Sequence, residues 1–247
     1  MSTKVAECLR RFDEEIERRK YTRHSWTQFV LGGRAASEGL KRWAIQKYHQ
    51  TFLQIPIFSI VHSRAESVEI RRFMVDQLID EETSLRSGGD SHYMLMRRFA
   101  AAMGATEQEV TSTPPGVPVL RYVEEAKDIC RTEHPVIVMA SMYAGERQTA
   151  EVTRLVLDQL RRQFDLDDHD LEWFVVHAGD DEHADAERDL IERLGEGVED
   201  LQESGLRVID RFMTQWGRLQ DFYYAITSSE RAHGLPQTTT GHSPKRG

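Results

Sequence analysis

Apolar residues recur along this chain at intervals of three and four, the period of helices that bury one face. No run of alternating apolar and polar residues bounded by turn signals compels a strand. The first helical stretch, about Lys4 to Lys20, is amphipathic and charged. A short segment from His24 to Phe29 stops at Gly32-Gly33, and a long helix begins near Ser37 with Leu40, Trp43, Ala44 and Tyr48 on one side. It should bend at Pro56, which removes an intrahelical hydrogen bond. Ser67 to Leu85 predicts the next helix, closing on Asp80-Glu81-Glu82 before Gly88-Gly89, and Ser91 suits the N-cap of one that presents His92, Leu95, Met96 and Phe99. Thr111 to Pro118, with its prolines, reads as a linker between the halves of a bundle. Beyond it come a helix from Val119 to about Arg131, the most apolar one from Pro135 to Phe164, and a last long one carrying Ile209, Phe212, Trp216, Leu219, Tyr223 and Ile226. The pattern predicts an all-α bundle of about seven to nine helices. A single domain over residues 1–233 is expected, followed by a polar, Pro/Gly-rich disordered tail over 234–247.

Between the last two of these helices lies Leu171 to Arg188, LEWFVVHAGDDEHADAER, with the length of a buried helix but a polar centre. Its three-and-four stripe runs Trp173, Val176, Asp180, His183, Glu187, Leu190, Leu194, with His177 alongside. A core helix with Asp and His in its buried stripe needs partners for them, because unpaired buried charge is expensive. A metal ion is one such partner. The most apolar helix repeats the anomaly, placing Glu146 inside the stripe Met139, Met142, Thr149, Thr153, Val156, Leu160.

Composition narrows the classes. At 247 residues, 39% hydrophobic and 30% charged, the chain suits one substantial soluble domain. A net charge of −9 argues against a general nucleic-acid or anionic-membrane binder. No apolar run approaches the ~20 residues that span a bilayer, and the N-terminus lacks the apolar core of a signal peptide. Cys8 and Cys130 are too few for a disulfide framework or a thiolate metal site, so a cytoplasmic location is expected.

Three places put charge on otherwise apolar faces: Glu81/Glu82 with His92, Glu146, and His177 with Asp180 and His183. Each has an ordinary explanation. Acidic residues ending a helix before a glycine turn are normally solvated, a histidine on an apolar face is often a hydrogen-bonded core residue, and Asp180 with His183 could be an i,i+3 surface pair. Taken together, carboxylates and imidazoles without cysteine suit iron or manganese among redox metals.

With these residues in view, the chain from His24 to Leu194 resembles the heme-oxygenase-like helical superfamily. The segment before Gly32-Gly33, then Leu40-x-x-Trp43-Ala44 leading to Tyr48 and Pro56, carries the entry. Its di-iron oxidase and oxygenase branch is the best match. That branch uses an acidic residue ahead of a histidine, a lone mid-helix glutamate, and His-x3-Asp-x2-His on the last core helix. Carried over by position, Glu82, with Glu81 as alternate, and His92 form the first pair, and Glu146 is the mid-helix carboxylate. The final motif is one residue short here. His177, Asp180 and His183 keep its ends, spaced i, i+3, i+6 over about 120° of helix arc. Gly179 could absorb the slip, and Asp181 is the alternate ligand. Glu82 and Glu146 are the residues expected to take part in catalysis.

The resemblance implies a non-heme di-iron enzyme with two Fe(II) ions and dioxygen as co-substrate. It would oxidise a small molecule, an amino acid or derivative, by N-oxygenation or C–C/C–N cleavage in specialised-metabolite biosynthesis. An external electron donor is implied, with no nucleic-acid or membrane partner, and a homodimer is compatible with it. Related branches fit less well. The para-aminobenzoate-forming branch spends one of its own lysines after the mid-helix glutamate, and no lysine occurs between Glu146 and His177. Two alternatives stay open: a cofactor-independent oxidase of the PQQ-synthesis type on the same fold, and a helical interaction protein whose Asp/His stripe is a polar seam.

Overall fold

A computed structural model describes residues 3–83, 85, 90–179 and 181–229, the side chains of 181–183 excepted. The expected tail over 234–247 lies outside the described residues, as does Asp180. The described chain is α-helical, with two short 3-10 turns and no strand among the described residues. In order the helices are α1 (Thr3–Arg18), α2 (Ser25–Leu31), α3 (Ser37–Gln54), α4 (Pro56–Arg64), α5 (Val68–Glu82), α6 (His92–Ala102), α7 (Glu107–Ser112), α8 (Val117–Thr132), α9 (Pro135–Gln163), α10 (Glu172–Ala178), α11 (Asp181–Leu194) and α12 (Leu201–Ser228).

The count exceeds the expected seven to nine for local reasons. Pro56 sits at the first position of α4, so the predicted bend is a full break, with Ile55 still in the right-handed helical region. Within the segment expected to lead into a linker, Thr106 and Glu109 form a reciprocal capping box that starts the short α7. The long helix expected from Leu171 onward is instead two helices, α10 ending at Ala178 and α11 starting at Asp181.

The α9 helix is the axis. Its 29 residues span about 43 Å at ~1.5 Å per residue, and it packs against α10, α11 and α12 along its length. Two apolar clusters divide it. The N-terminal half of α9, Val136 to Ala144, packs with Leu9 and Phe12 of α1, Met74 of α5, Ile191 of α11 and Ile209 of α12. The C-terminal half, Val156 to Leu160, packs with Trp43 of α3, Phe99 of α6, Phe174 of α10 and Tyr223 of α12. Glu146 falls between these halves. No helix among the described residues is long and apolar enough to cross a membrane.

The start of α3 and the end of α12 are in backbone contact: a Cβ added at Gly39 would lie 2.2 Å from the Thr227 carbonyl oxygen. A carbonyl cannot swing away as a side chain can. Gly39→Ala is therefore expected to cost about 1–3 kcal/mol, read as a lowered urea midpoint. Gly197→Ala, where nothing lies within 4 Å, should stay within about 0.5 kcal/mol of wild type.

Candidate active site

At the seam between the two clusters lies a cavity of about 90 Å³, walled by α3, α4, α5, α8, α9, α10, α11 and α12 and by Tyr21. Its charged and imidazole lining residues are Lys47, Glu81, Glu146, His177 and Glu187. Helix ends deliver several of them. Glu81 stands in the last turn of α5, where a carboxylate opposes the helix dipole and lowers the helix's own stability. His177 stands in the last turn of α10, and His92 is the first residue of α6, behind Ser91.

Contacts among these groups tie the helices together. Oε1 of Glu81 lies 3.4 Å from Nδ1 of the buried His92, and the His92 and His177 rings are 4.7 Å apart. The His177 ring lies flat on Trp173 at 4.1 Å. Its Nδ1 is 2.7 Å from the Trp173 carbonyl oxygen. A carbonyl only accepts, so Nδ1 carries a proton and donates. Oε2 of Glu81 is buried with no hydrogen-bond partner among the described residues, and so are Thr51 Oγ1 and Gln77 Nε2 in the same wall.

Of the residues expected from sequence, Glu81, Glu146 and His177 line the cavity, and His92 adjoins it through Glu81 and His177. Glu82, the preferred acid of the first pair, is exposed on the outside of α5; Glu81, the alternate, faces inward. One step along a helix turns a side chain by about 100°, so the two neighbours cannot share one face. Asp180 and the side chains of Asp181 and His183 lie outside the described residues. The arc assumed for His177, Asp180 and His183 required one continuous helix. Instead the amide of Gly179 turns back to the Val176 carbonyl at 3.2 Å, and α10 closes there. Among the described residues no group of three or more His, Cys, Asp or Glu is gathered closely enough to hold a metal ion.

Two lining residues escaped the sequence reading. Glu187, 2% exposed, was visible in the stripe of Leu171 to Arg188 but was read only as part of its spacing. Lys47 falls one turn beyond Trp43 and Ala44 on the buried face of α3, where a lysine is as anomalous as Glu146 is on α9. Its ammonium lies 5.1 Å from the Trp173 ring centroid and 5.5 Å from that of Trp216, and donates to Gln50 Oε1 at 3.1 Å. Burial lowers its pKa to about 8, against the opposing pull of Glu81 and Glu146.

The arginines beside the expected ligands point elsewhere. Arg147 is exposed, and Arg188 donates to Asp13 Oδ2 at 3.0 Å and to the Tyr143 hydroxyl at 3.1 Å, bracing α11 on α1 and α9. His24 caps α2 by accepting from the Trp26 amide. Cys130 enters the cavity wall as a neutral thiol, its pKa pushed up to about 12 by burial. The wall therefore combines hard carboxylates and imidazoles in a largely apolar surround. These are the ligand types that hard and borderline cations prefer, in a concave, partly apolar surround of the kind that takes small organic molecules.

Comparison with known proteins places this geometry. The family model described as "Iron-containing redox enzyme" matches residues 41–216. A 4-aminobenzoate synthase of Chlamydia pneumoniae is 25% identical over 222 residues, covering 88% of this chain and 94% of the relative. A 4-aminobenzoate synthase of Nitrosomonas europaea is 27% identical over 202 residues, covering 76% and 79%. Among solved structures, a CADD-like protein of unknown function from Nostoc punctiforme superimposes with a TM-score of 0.72 at 13% identity, over 92% of this chain and all of that one. A domain of unknown function with a heme oxygenase-like fold from Shewanella denitrificans gives 0.68 at 16% identity, over 93% and 96%.

The Lys47 environment has a measurable consequence in metal-free protein. Its folded pKa of about 8 lies below the ordinary lysine value of 10.5, so between those limits the unfolded chain binds the extra proton and stability rises with pH. Below pH 8 both states are protonated and the folded state carries the full penalty of about 3 kcal/mol. Lys47→Met should therefore raise the urea midpoint at pH 7 and flatten the rise between pH 8 and 10.5. An unchanged midpoint and slope would show that the ammonium is well solvated.

Proposed function

Since the chain belongs to the iron-containing redox enzyme family, we propose that it is a non-heme di-iron oxidase or oxygenase acting on a small molecule. The observation that carries this reading is the buried carboxylate oxygen of Glu81 in the cavity, with no hydrogen-bond partner among the described residues. Glu81, Glu146 and Glu187 converge there with two imidazoles nearby, and Lys47 is the single cation among the described lining residues. A buried carboxylate oxygen in an apolar surround favours a bound multivalent cation, and Glu81 Oε2 is a donor atom for one. The set fits iron: carboxylates are hard anionic ligands, imidazoles are borderline, and the one thiol of the wall stays protonated.

In this reading Glu81, His92, Glu146 and His177 hold iron together with Asp180 and His183, with Asp181 as the alternate to Asp180. Bound ferrous iron supplies the electrons for activating dioxygen. The chain supplies the rest. The Trp173 carbonyl fixes the His177 tautomer so that Nε2 is the coordinating atom. Glu187, one helical turn beyond His183, adds negative charge to the wall. The Trp173 and Trp216 rings keep bulk water from the chamber where the substrate sits. The substrate is an amino acid or a related small acid oxidised in specialised-metabolite biosynthesis, and an external donor returns the electrons. With no lysine between Glu146 and His177, the aminobenzoate-forming activity named for the relatives is not carried over.

Aerobic addition of ferrous iron to apo-protein should give a transient visible absorption that saturates at about two irons per chain. Sub-stoichiometric binding without absorption would favour the cofactor-independent oxidase. Single substitutions locate the site. Glu81→Ala and Glu146→Ala should each weaken iron binding by at least about tenfold with helical content unchanged, whereas Glu82→Ala should leave it within about twofold. Equal losses at Glu81 and Glu82 would refute the inward assignment of Glu81.

A further inference from the structure

A second chamber of about 60 Å³ adjoins the carboxylate cavity. The two share Tyr21, Lys47, Thr149, Trp173 and Trp216. Where the first is lined with carboxylates, the second is largely aromatic, with Trp26, Trp43, Phe174 and Tyr223 in its wall beside Thr27, Thr153 and Gln220. Several of these rings are fixed by stacking, Trp26 on Trp43 at 4.9 Å and Tyr21 on Trp216 at 4.7 Å. Lys47 stands at the junction, its ammonium beside the faces of Trp173 and Trp216.

We infer that Lys47 is the recognition cation for a carboxylate-bearing substrate, whose ring-sized apolar body extends from the junction into the aromatic chamber. This deepens the oxygenase reading and rests on it in one respect: coordinated iron engages Glu81 and Glu146, which would otherwise repel an anion.

Three features support the assignment. The ammonium has three donors and gives one to Gln50. Thr51 Oγ1 and Gln77 Nε2 are buried in the same wall with no partner among the described residues, and both can donate. Thr51 stands one helical turn beyond Lys47 on α3, and a carboxylate, with about four acceptor positions, can accept from donors of this kind as no neutral apolar ligand does. The remaining feature is size. The chambers, about 90 and 60 Å³, only together match the ~150 Å³ that encloses one benzene ring, so a ring spanning their junction or a short branched chain fits and a long acyl chain does not.

All four tryptophans of the chain line the aromatic chamber, so their emission reports its occupancy. Phenylacetate and its neutral isostere 2-phenylacetamide, titrated against the wild-type protein loaded with redox-silent Zn(II), test the inference. The acid should bind at least about tenfold more tightly than the amide, the discrimination expected of one charge-assisted hydrogen bond in a buried site. Lys47→Met should remove that preference by weakening the acid alone, and Lys47→Arg should retain most of it. Lys47→Gln gives the same readout should the methionine variant not fold. Equal binding of acid and amide, or an acid preference that survives Lys47→Met, would overturn the assignment, and tight binding of decanoate would overturn the size limit. The same titrations on metal-free protein separate the two readings. A Lys47-dependent acid preference in a chain that takes up neither Zn(II) nor iron upholds the anion site and refutes the di-iron centre. Full metal binding without the preference does the reverse.

Discussion

Carboxylate concentrated where two apolar clusters meet is the constraint to which the rest of this structure responds. Glu146 lies at the midpoint of α9, where the helix passes from one cluster to the other. Helix termini bring the other groups to it: the end of α5 carries Glu81, the start of α6 carries His92, and the end of α10 carries His177. A terminus is where the chain can leave a packed face without opening a void, so polar groups placed there reach a seam at little cost to the cores on either side. Glu81 shows the remaining cost, since a carboxylate in a last helical turn opposes the dipole.

The break at Gly179 follows from the same arrangement. Trp173 and Phe174 of α10 pack in the cluster around Trp43 and Phe99, whereas Ala184, Leu190 and Ile191 of α11 pack in the other. One straight helix over Leu171 to Leu194 presents those residues on a single stripe and so to a single core. Ending α10 at Ala178 lets each half bury its apolar residues separately.

Bundle architecture was legible because burial writes a three-and-four period into every long helix, and because prolines and capping residues punctuate it. Pro135 opens α9 and Ser67 caps α5, both as local chemistry dictates. Glu146 and His177 were legible as polar interruptions of apolar stripes. Which of Glu81 and Glu82 faces inward was not, because at the end of a short helix the phase of the stripe is poorly determined and only packing on α6 settles it. Lys47 was missed for a different reason. Lysines are so often solvated, with stems along apolar surface and heads in water, that one on a buried stripe attracts no notice unless carboxylates are known to lie opposite.

Lys47, Glu81 and the unpartnered Thr51 and Gln77 atoms are each unfavourable to the folded state, yet all line one cavity. Local conflicts scattered through a fold would be tolerated defects; gathered at one seam, they mark where stability has been given up for binding. Their signs also differ. The carboxylates of the cavity call for a cation, and the ammonium at its junction with the aromatic chamber calls for an anion. A metal ion alone answers the first demand and leaves the second. A ligand that carries an acidic head on an apolar ring answers the second, its ring reaching from the junction into the space that four indoles line.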